Sequence, residues 1–320
     1  MEAKKNPWDP GKYLINDYAL KRISSKAWWK KANLEDVELM NQGGDYLLKF
    51  GNGRDNNLDF ALKFAQDRKV LAFLKRIKKL RMMVLEYINQ PIPQNENMKI
   101  VERSVPVPFF GNIERARVAT ISINPSNLEF EDKQGNLLPR PHKRFYDRDF
   151  WNEKDTDIIS ENHTEGVYES LYDYFRLNPY KLWFDRLEKN VKDLLGGSYY
   201  NGTMVHLDIY PWATKKKWSK LPIAERKKAL DNYDLLKKIL RNRNFECIYI
   251  NSKETKEQLE KYFDKKIEET PVNFSGQTWK IYEGELDNGT KLIGLSCNIQ
   301  SSRIKKDVLE HLLAILKDKR

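Results

Sequence analysis

Only two cysteines, Cys247 and Cys297, occur in the 320 residues, and both fall inside apolar, strand-like segments. That count excludes a disulfide framework, a four-cysteine zinc site and an iron–sulfur cluster. Histidine is as scarce: His142, His163, His206 and His311 lie far apart, without the short spacings of a metal site. Neither a metal nor a cofactor is expected. There is no run of about 18 apolar residues to span a bilayer, and the opening residues, with Glu2, Lys4 and Lys5, lack the apolar core of a secretion signal. A cytoplasmic protein with no membrane attachment is expected. Acidic residues are outnumbered, 46 against 57 basic ones, which leaves a formal charge of +11.

A positive excess of that size favours a polyanionic partner, because lysines and arginines that neutralise phosphates release condensed counterions. The basic residues cluster as Lys75, Arg76, Lys78, Lys79 and Arg81, as Lys215, Lys216 and Lys217, and as Arg303, Lys305 and Lys306. Nucleic acid is the expected partner. With 40% hydrophobic and 12% aromatic residues, the chain has the composition of a folded globular protein.

Helical periodicity stops at 89–95, Asn-Gln-Pro-Ile-Pro-Gln-Asn. Before it, Phe73, Ile77, Leu80, Val84 and Ile88 follow the spacing of a buried helix stripe, and Trp28-Trp29 and 58–62 suggest further helices. Residues 1–95 read as a helical amino-terminal region, with the basic residues of the stripe helix on its solvated face. Residues 96–320 read as an α/β domain. Strands are predicted over 117–124, 203–208, 246–251 and 291–296, and helices over 167–175, 180–195, 223–239, 253–263 and 302–317. Alternation of this kind implies a three-layer α/β/α arrangement around a central, parallel four-stranded sheet. A hairpin through Asp287-Asn288-Gly289 is expected in 265–290, and Ser301 or Ser302 is placed to cap the last helix.

Three strand ends carry polar clusters, and the carboxyl edge of a parallel sheet is where open α/β folds bind ligands. They are Ser122-Ile123-Asn124-Pro125-Ser126, the segment 206–214 beginning His206-Leu207-Asp208, and the segment 296–303 containing Asn298, Gln300, Ser301, Ser302 and Arg303. In order and placement these segments resemble the motifs of the uracil-DNA glycosylase superfamily over roughly residues 105–320. SINPS matches the GINPG motif of the mismatch-specific branch at three of five positions, and Asn298 stands at the head of a late segment that corresponds to NPSGLS or HPSP.

The resemblance implies a uracil-DNA glycosylase-like fold and a monofunctional DNA glycosylase that extrudes a base and hydrolyses its N-glycosidic bond with water. It implies Asn124 as the residue that positions water and Asn298 as a second catalytic group. Three departures point away from plain uracil: Ser126 replaces the tyrosine that closes the C5 side of the ring, Asp208 replaces a frequent asparagine, and Ile299-Gln300 replaces Pro-Ser. Within the superfamily the pattern resembles members that remove glucosylated hydroxymethylcytosine from viral DNA, so a C5-substituted cytosine and a role in antiviral defence are expected. Uracil or mismatch repair is the alternative, and a noncatalytic nucleic-acid-binding module the alternative of another class.

Cleavage of the bond develops positive charge on the sugar and negative charge on the base, so the site needs a positioned water, donors to the base and a base held out of the stack. Asn124 can orient water or merely satisfy its own turn. Gln300 and His206 are candidates for contact with the base, with Asp208, whose carboxylate suits the exocyclic amine of cytosine. Phe130 and Phe145 can stack on the base or pack in the core. Glu129 reads as an exposed carboxylate, near enough in sequence to act as a base for water. Ser301, Ser302, Arg303, Lys215, Lys216 and Lys217 are expected to hold phosphates, the two serines through the amino terminus of the last helix.

Overall fold

The computed structural model describes residues 68–300 and 304–319. The chain divides into two compact units, Met1–Glu86 and Tyr87–Arg320. The described part of the first unit is a stretch of helix α1 (Arg68–Ile88), which ends two residues into the second. Along α1, Ile77, Leu80, Val84 and Ile88 are buried at the predicted spacing. The basic residues between them do not all form a solvated face: Lys75 and Lys79 are exposed, but Arg81 is fully buried. The helices expected around Trp28-Trp29 and 58–62 lie outside the described residues.

The second unit is built on a seven-stranded sheet of order β1-β3-β2-β4-β7-β6-β5. Four strands are parallel neighbours: β3 (Met204–Asp208), β2 (Val118–Ser122), β4 (Cys247–Asn251) and β7 (Lys291–Leu295). These are the four strands the sequence predicts. Each is a near-continuous buried run, as a parallel sheet covered on both faces requires.

The expectation of a four-stranded sheet is corrected by three antiparallel additions, β1 (Phe109–Phe110) on β3, and β6 (Gln277–Glu285) with β5 (Glu268–Phe274) beyond β7. The Asp287-Asn288-Gly289 turn joins β6 to β7, with Gly289 at φ 82°. A second tight turn at Ser275-Gly276, with φ of 53° and 72°, folds β5 back on β6. The polar sequence of β5 and its Pro271 hide it from pattern reading; an edge strand tolerates both.

Among the described residues the unit has seven further α-helices: α2 (Arg148–Trp151), α3 (Glu161–Tyr172), α4 (Lys181–Leu195), α5 (Ile223–Asn232), α6 (Leu235–Asn242), α7 (Lys253–Phe263) and α8 (Lys306–Asp318). The single helix predicted over 223–239 is two, because Tyr233 leaves the helix for an extended conformation. There its ring meets Tyr210 edge-on at 5.0 Å and its carbonyl accepts the Tyr262 hydroxyl. The last helix begins later than predicted. Lys305 occupies its N-cap without a side-chain bond, in place of the serine cap expected; Ser301 and Ser302 lie outside the described residues.

Right-handed crossovers between parallel strands place the helices of the β2–β3 connection on one face and those of β3–β4 and β4–β7 on the other. Contacts agree: α4 meets α8, while Gln258 of α7 donates to the carbonyl of Leu230 in α5. None of the described helices is long and apolar enough to cross a membrane.

Candidate functional site at the carboxyl edge of the parallel strands

Side chains alternate along a strand, and the register decides which of them share a face. Thr120 pairs with His206 and with Tyr249, and Ser122 pairs with Asp208. Thr120, Ser122, His206, Asp208, Tyr249 and Asn251 therefore share one face of the sheet. It is the α4 face, since Trp183 and Phe184 of α4 meet the His206 ring at centroid distances of 4.8 and 5.6 Å. A polar stripe thus crosses three parallel strands and ends at their carboxyl edge.

Above β2 the chain enters the Asn-Pro-Ser turn. The Nδ2 of Asn124 donates to the carbonyl of Pro125 at 3.0 Å and lies within bonding distance of Trp212 O and Thr214 Oγ1, at 3.4 and 3.3 Å. Three acceptors fix the nitrogen, so the remaining polar atom of this half-buried side chain is its carbonyl oxygen. Ser126 bridges to Thr214, and its hydroxyl accepts from Leu128 N to cap a short 3-10 turn, Asn127–Glu129. The Ser126 hydroxyl is thus engaged as a cap, and its side chain is as small as the open C5 side of the expected base requires.

The turn drives Glu129 inward. It is 3% exposed, which corrects the expectation of a surface carboxylate. Its Oε2 accepts the Tyr174 hydroxyl at 2.6 Å and lies 3.6 Å from Arg144 Nε. Tyr174 Oη in turn accepts from Tyr180 N. Arg144 donates to the carbonyls of Leu128 and Asn178, which ties the turn to the segment before α4. Burial pushes the Glu129 carboxyl up to about 7 against the pull of Arg144 and Tyr174, with a smaller upward push from Asp208. The Tyr174 phenol is raised well above its ordinary value, chiefly by burial and then by Glu129.

Asp208 is also buried, and burial raises its carboxyl, opposed only by His206. His206 Nε2 stands 3.4 Å from Oδ1, too far for a good hydrogen bond. The turn after β3 is closed by Ile209 N and Tyr210 N on the carbonyls of Ser122 and Ile123, so Asp208 is not needed as its cap. Phe130 and Phe145 are each 1% exposed and pack on one another at 5.4 Å, with Phe145 stacked on Tyr174. This structure places both in the core, not on an open stacking platform.

The late segment meets β4. Asn251 donates to Gln300 Oε1 at 2.8 Å and lies 3.2 Å from Ser122 Oγ, while its Oδ1 accepts from Ile299 N. Gln300 Nε2 is buried without a partner. Asn298 is exposed and uses Oδ1 to hold Gln300 N. Ser301, Ser302 and Arg303 lie outside the described residues. Of the three lysines, all exposed, Lys215 is already paired with Glu102 at 2.7 Å.

The segments thus converge as the sequence suggested, and they bring with them residues it did not single out: Asn251, Arg144, Tyr174, Thr120 and Tyr199. Asn251 carries the same signal as Asn124, an amide closing an apolar strand. A separate cleft of about 490 Å³ between α5 and α7, lined by Ile223, Leu230, Gln258 and mixed charges, contains none of these side chains. Among the described residues no cluster of three or more His, Cys, Asp or Glu is placed to hold a metal. No protein family's sequence model matches the chain, and no curated protein matches it.

Proposed function

We propose that this chain is a monofunctional DNA glycosylase with a uracil-DNA glycosylase-like α/β domain. It extrudes a C5-substituted cytosine, favoured in its glucosylated hydroxymethyl form in viral DNA, and hydrolyses the N-glycosidic bond to leave an abasic site, as an antiviral activity. The observation that carries this reading is the orientation of Asn124. With Nδ2 held by Pro125, Trp212 and Thr214, its carbonyl is left to align a water for attack on the sugar. Gln300 Nε2, buried and unpartnered beside Asn251, is a donor for the base. Asp208 reads the exocyclic amine. With its side chain 1% exposed, a base reaches it only as the surrounding segments part, which extrusion of a nucleotide into a closed pocket entails. Ser126, small and turned to its cap, leaves the C5 side of the ring open.

The test is alkaline cleavage of oligonucleotides carrying hydroxymethylcytosine, its glucosylated form or uracil, with chelator present. Base release from the modified cytosines is expected. Release from uracil alone assigns repair, metal-dependent strand breakage a nuclease, and binding without release a noncatalytic module. Asn124→Ala should slow release by about 10² to 10³, the scale of one lost preorganised group, with DNA binding retained; unimpaired release would remove Asn124 from the mechanism. Water, not lysine, is the nucleophile, so borohydride should trap no protein–DNA adduct.

A further inference from the structure

A buried hydrogen-bonded chain runs through the sheet to His206, whose ring stands beside Asp208. Tyr199 Oη lies 2.6 Å from Thr120 Oγ1, which lies 2.6 Å from His206 Nδ1; on the far side of the ring, Nε2 faces Asp208 Oδ1 at 3.4 Å. Among the described residues Thr120 is the only partner of the Tyr199 hydroxyl. Tyr199 therefore donates to Thr120, because otherwise a buried hydroxyl proton goes unbonded. Thr120, having accepted, gives its own proton to Nδ1. In the neutral ring the proton is then on Nε2, on the side of Asp208, though at 3.4 Å it makes no good hydrogen bond to Oδ1. Of the two Asp208 oxygens, Oδ1 is the one nearer the ring, and no hydrogen bond within the described structure engages it.

The groups that face Asp208 give little support to a charged carboxylate. His206 is the one neighbour that favours it, Glu129 is a second buried acid within electrostatic reach, and Tyr199 is a phenol with no positive charge to offer. Phe110, Trp183 and Phe184 surround His206 with rings. Exclusion from water raises the Asp208 carboxyl and so favours its protonated form.

We propose that Asp208 is the general acid of base excision, a neutral carboxyl whose Oδ2–H protonates ring N3 of a cytosine-type base while Oδ1 accepts from the exocyclic amine; Tyr199, Thr120 and His206 are its positioning residues. The inference rests on the glycosylase reading above and specifies its substrate class, a ring with a basic N3 beside an amine. Such a base is a poor leaving group as an anion, because an amine replaces a carbonyl that would share the charge. In the step, the C1′–N1 bond breaks and its electron pair passes to the base. The Asp208 proton goes to N3, so the base departs neutral. Water bonds to C1′ through oxygen, and its surplus proton passes to solvent, from which Asp208 is reprotonated.

The test uses the full chain and four oligonucleotides, bearing hydroxymethylcytosine, its glucosylated form, a 3-deaza analogue of hydroxymethylcytosine with C–H in place of N3, and uracil. The wild-type protein should release the first two with a rate that falls as pH rises through an alkaline limb. It should bind the 3-deaza analogue but release it about 10² times more slowly or worse, the lower bound of a general-acid contribution. Asp208→Asn should lose the alkaline limb together with most of the rate, and Thr120→Val should shift the limb without weakening DNA binding. Release of the 3-deaza base at the rate of its parent, or an Asp208→Asn profile superimposable on wild type, overturns the acid role and leaves the excision reading standing. No release of any base by the wild-type protein overturns both. The 3-deaza comparison needs no variant, so it decides the matter even where a substitution unfolds the protein.

Discussion

Glu129 couples the fold around the site to pH. Its carboxyl is raised from 4.5 to about 7, and burial is the dominant cause. The unfolded chain returns it to water, so folding takes up a proton between these values. The contribution of this group to stability is complete below pH 4.5 and is lost as pH rises through 7. Glu129→Gln keeps an acceptor for Tyr174 and cannot ionise. It should unfold close to wild type at pH 5 and be the more stable protein at pH 8, by on the order of 2–3 kcal/mol. Urea unfolding at both pH values checks this; a difference independent of pH would mean that ionisation of Glu129 is not what separates them. At this scale the sequence was legible where a polar residue closes an apolar strand, as with Asn124 and Asp208. Asn251 carried the same mark. Glu129 did not, because the Tyr174 hydroxyl that receives it comes from 45 residues away and no local pattern reports such a partner.

The parallel strands were readable as elements because both their faces are covered, which writes an unbroken apolar run into each. The antiparallel strands at the edges were not: β1 is two residues long, and β5 is polar along most of its length. The same contrast governs how glycine substitutions reach the site. A Cβ added at Gly294 in β7 would stand 2.4 Å from the carbonyl oxygen of Ile250 and 2.7 Å from its Cβ. Neither atom can swing aside, so β4 and β7 must separate just below Asn251, which carries the 299–300 turn. Gly294→Ala should cost roughly 1–3 kcal/mol as an overpacked core position and should reduce base release beyond what the lost stability explains. Gly276, at φ 72° in the β5–β6 turn, has open space around it. Gly276→Ala should cost about 1–2 kcal/mol in backbone strain and leave release by the folded protein unchanged. Parallel urea melts and excision rates on the two variants measure the difference; equal loss of activity per unit of lost stability would disconnect β7 from the site.

Across the whole molecule, the excess of 57 basic over 46 acidic side chains sets a long-range attraction for polyanions, but a net charge does not say which lysines meet phosphate. The structure separates three adjacent ones. Lys215 is engaged with Glu102, whose carboxyl that contact lowers. Lys216 and Lys217 are exposed on the same loop. The Lys216 carbonyl accepts the Thr214 hydroxyl, whose oxygen lies within bonding distance of Asn124 Nδ2, so this loop and the Asn-Pro-Ser turn are tied together at the strand edge. If the proposed glycosylase reading holds, phosphates flanking a nucleotide extruded toward Asn124 would pass beside this loop. Each phosphate neutralised adds roughly one to the slope of log affinity against log salt on duplex DNA. Replacing Lys216 and Lys217 by glutamine should therefore lower that slope by about two, across all DNA sequences alike. Replacing Lys215 alone should lower it by less than one, since its charge is partly cancelled by Glu102. Fluorescence-anisotropy titrations at several salt concentrations read both slopes. An unaltered slope in the double variant would place the lysines on a solvated surface away from the DNA, and the positive charge that draws the polyanion would have to come from elsewhere on the chain.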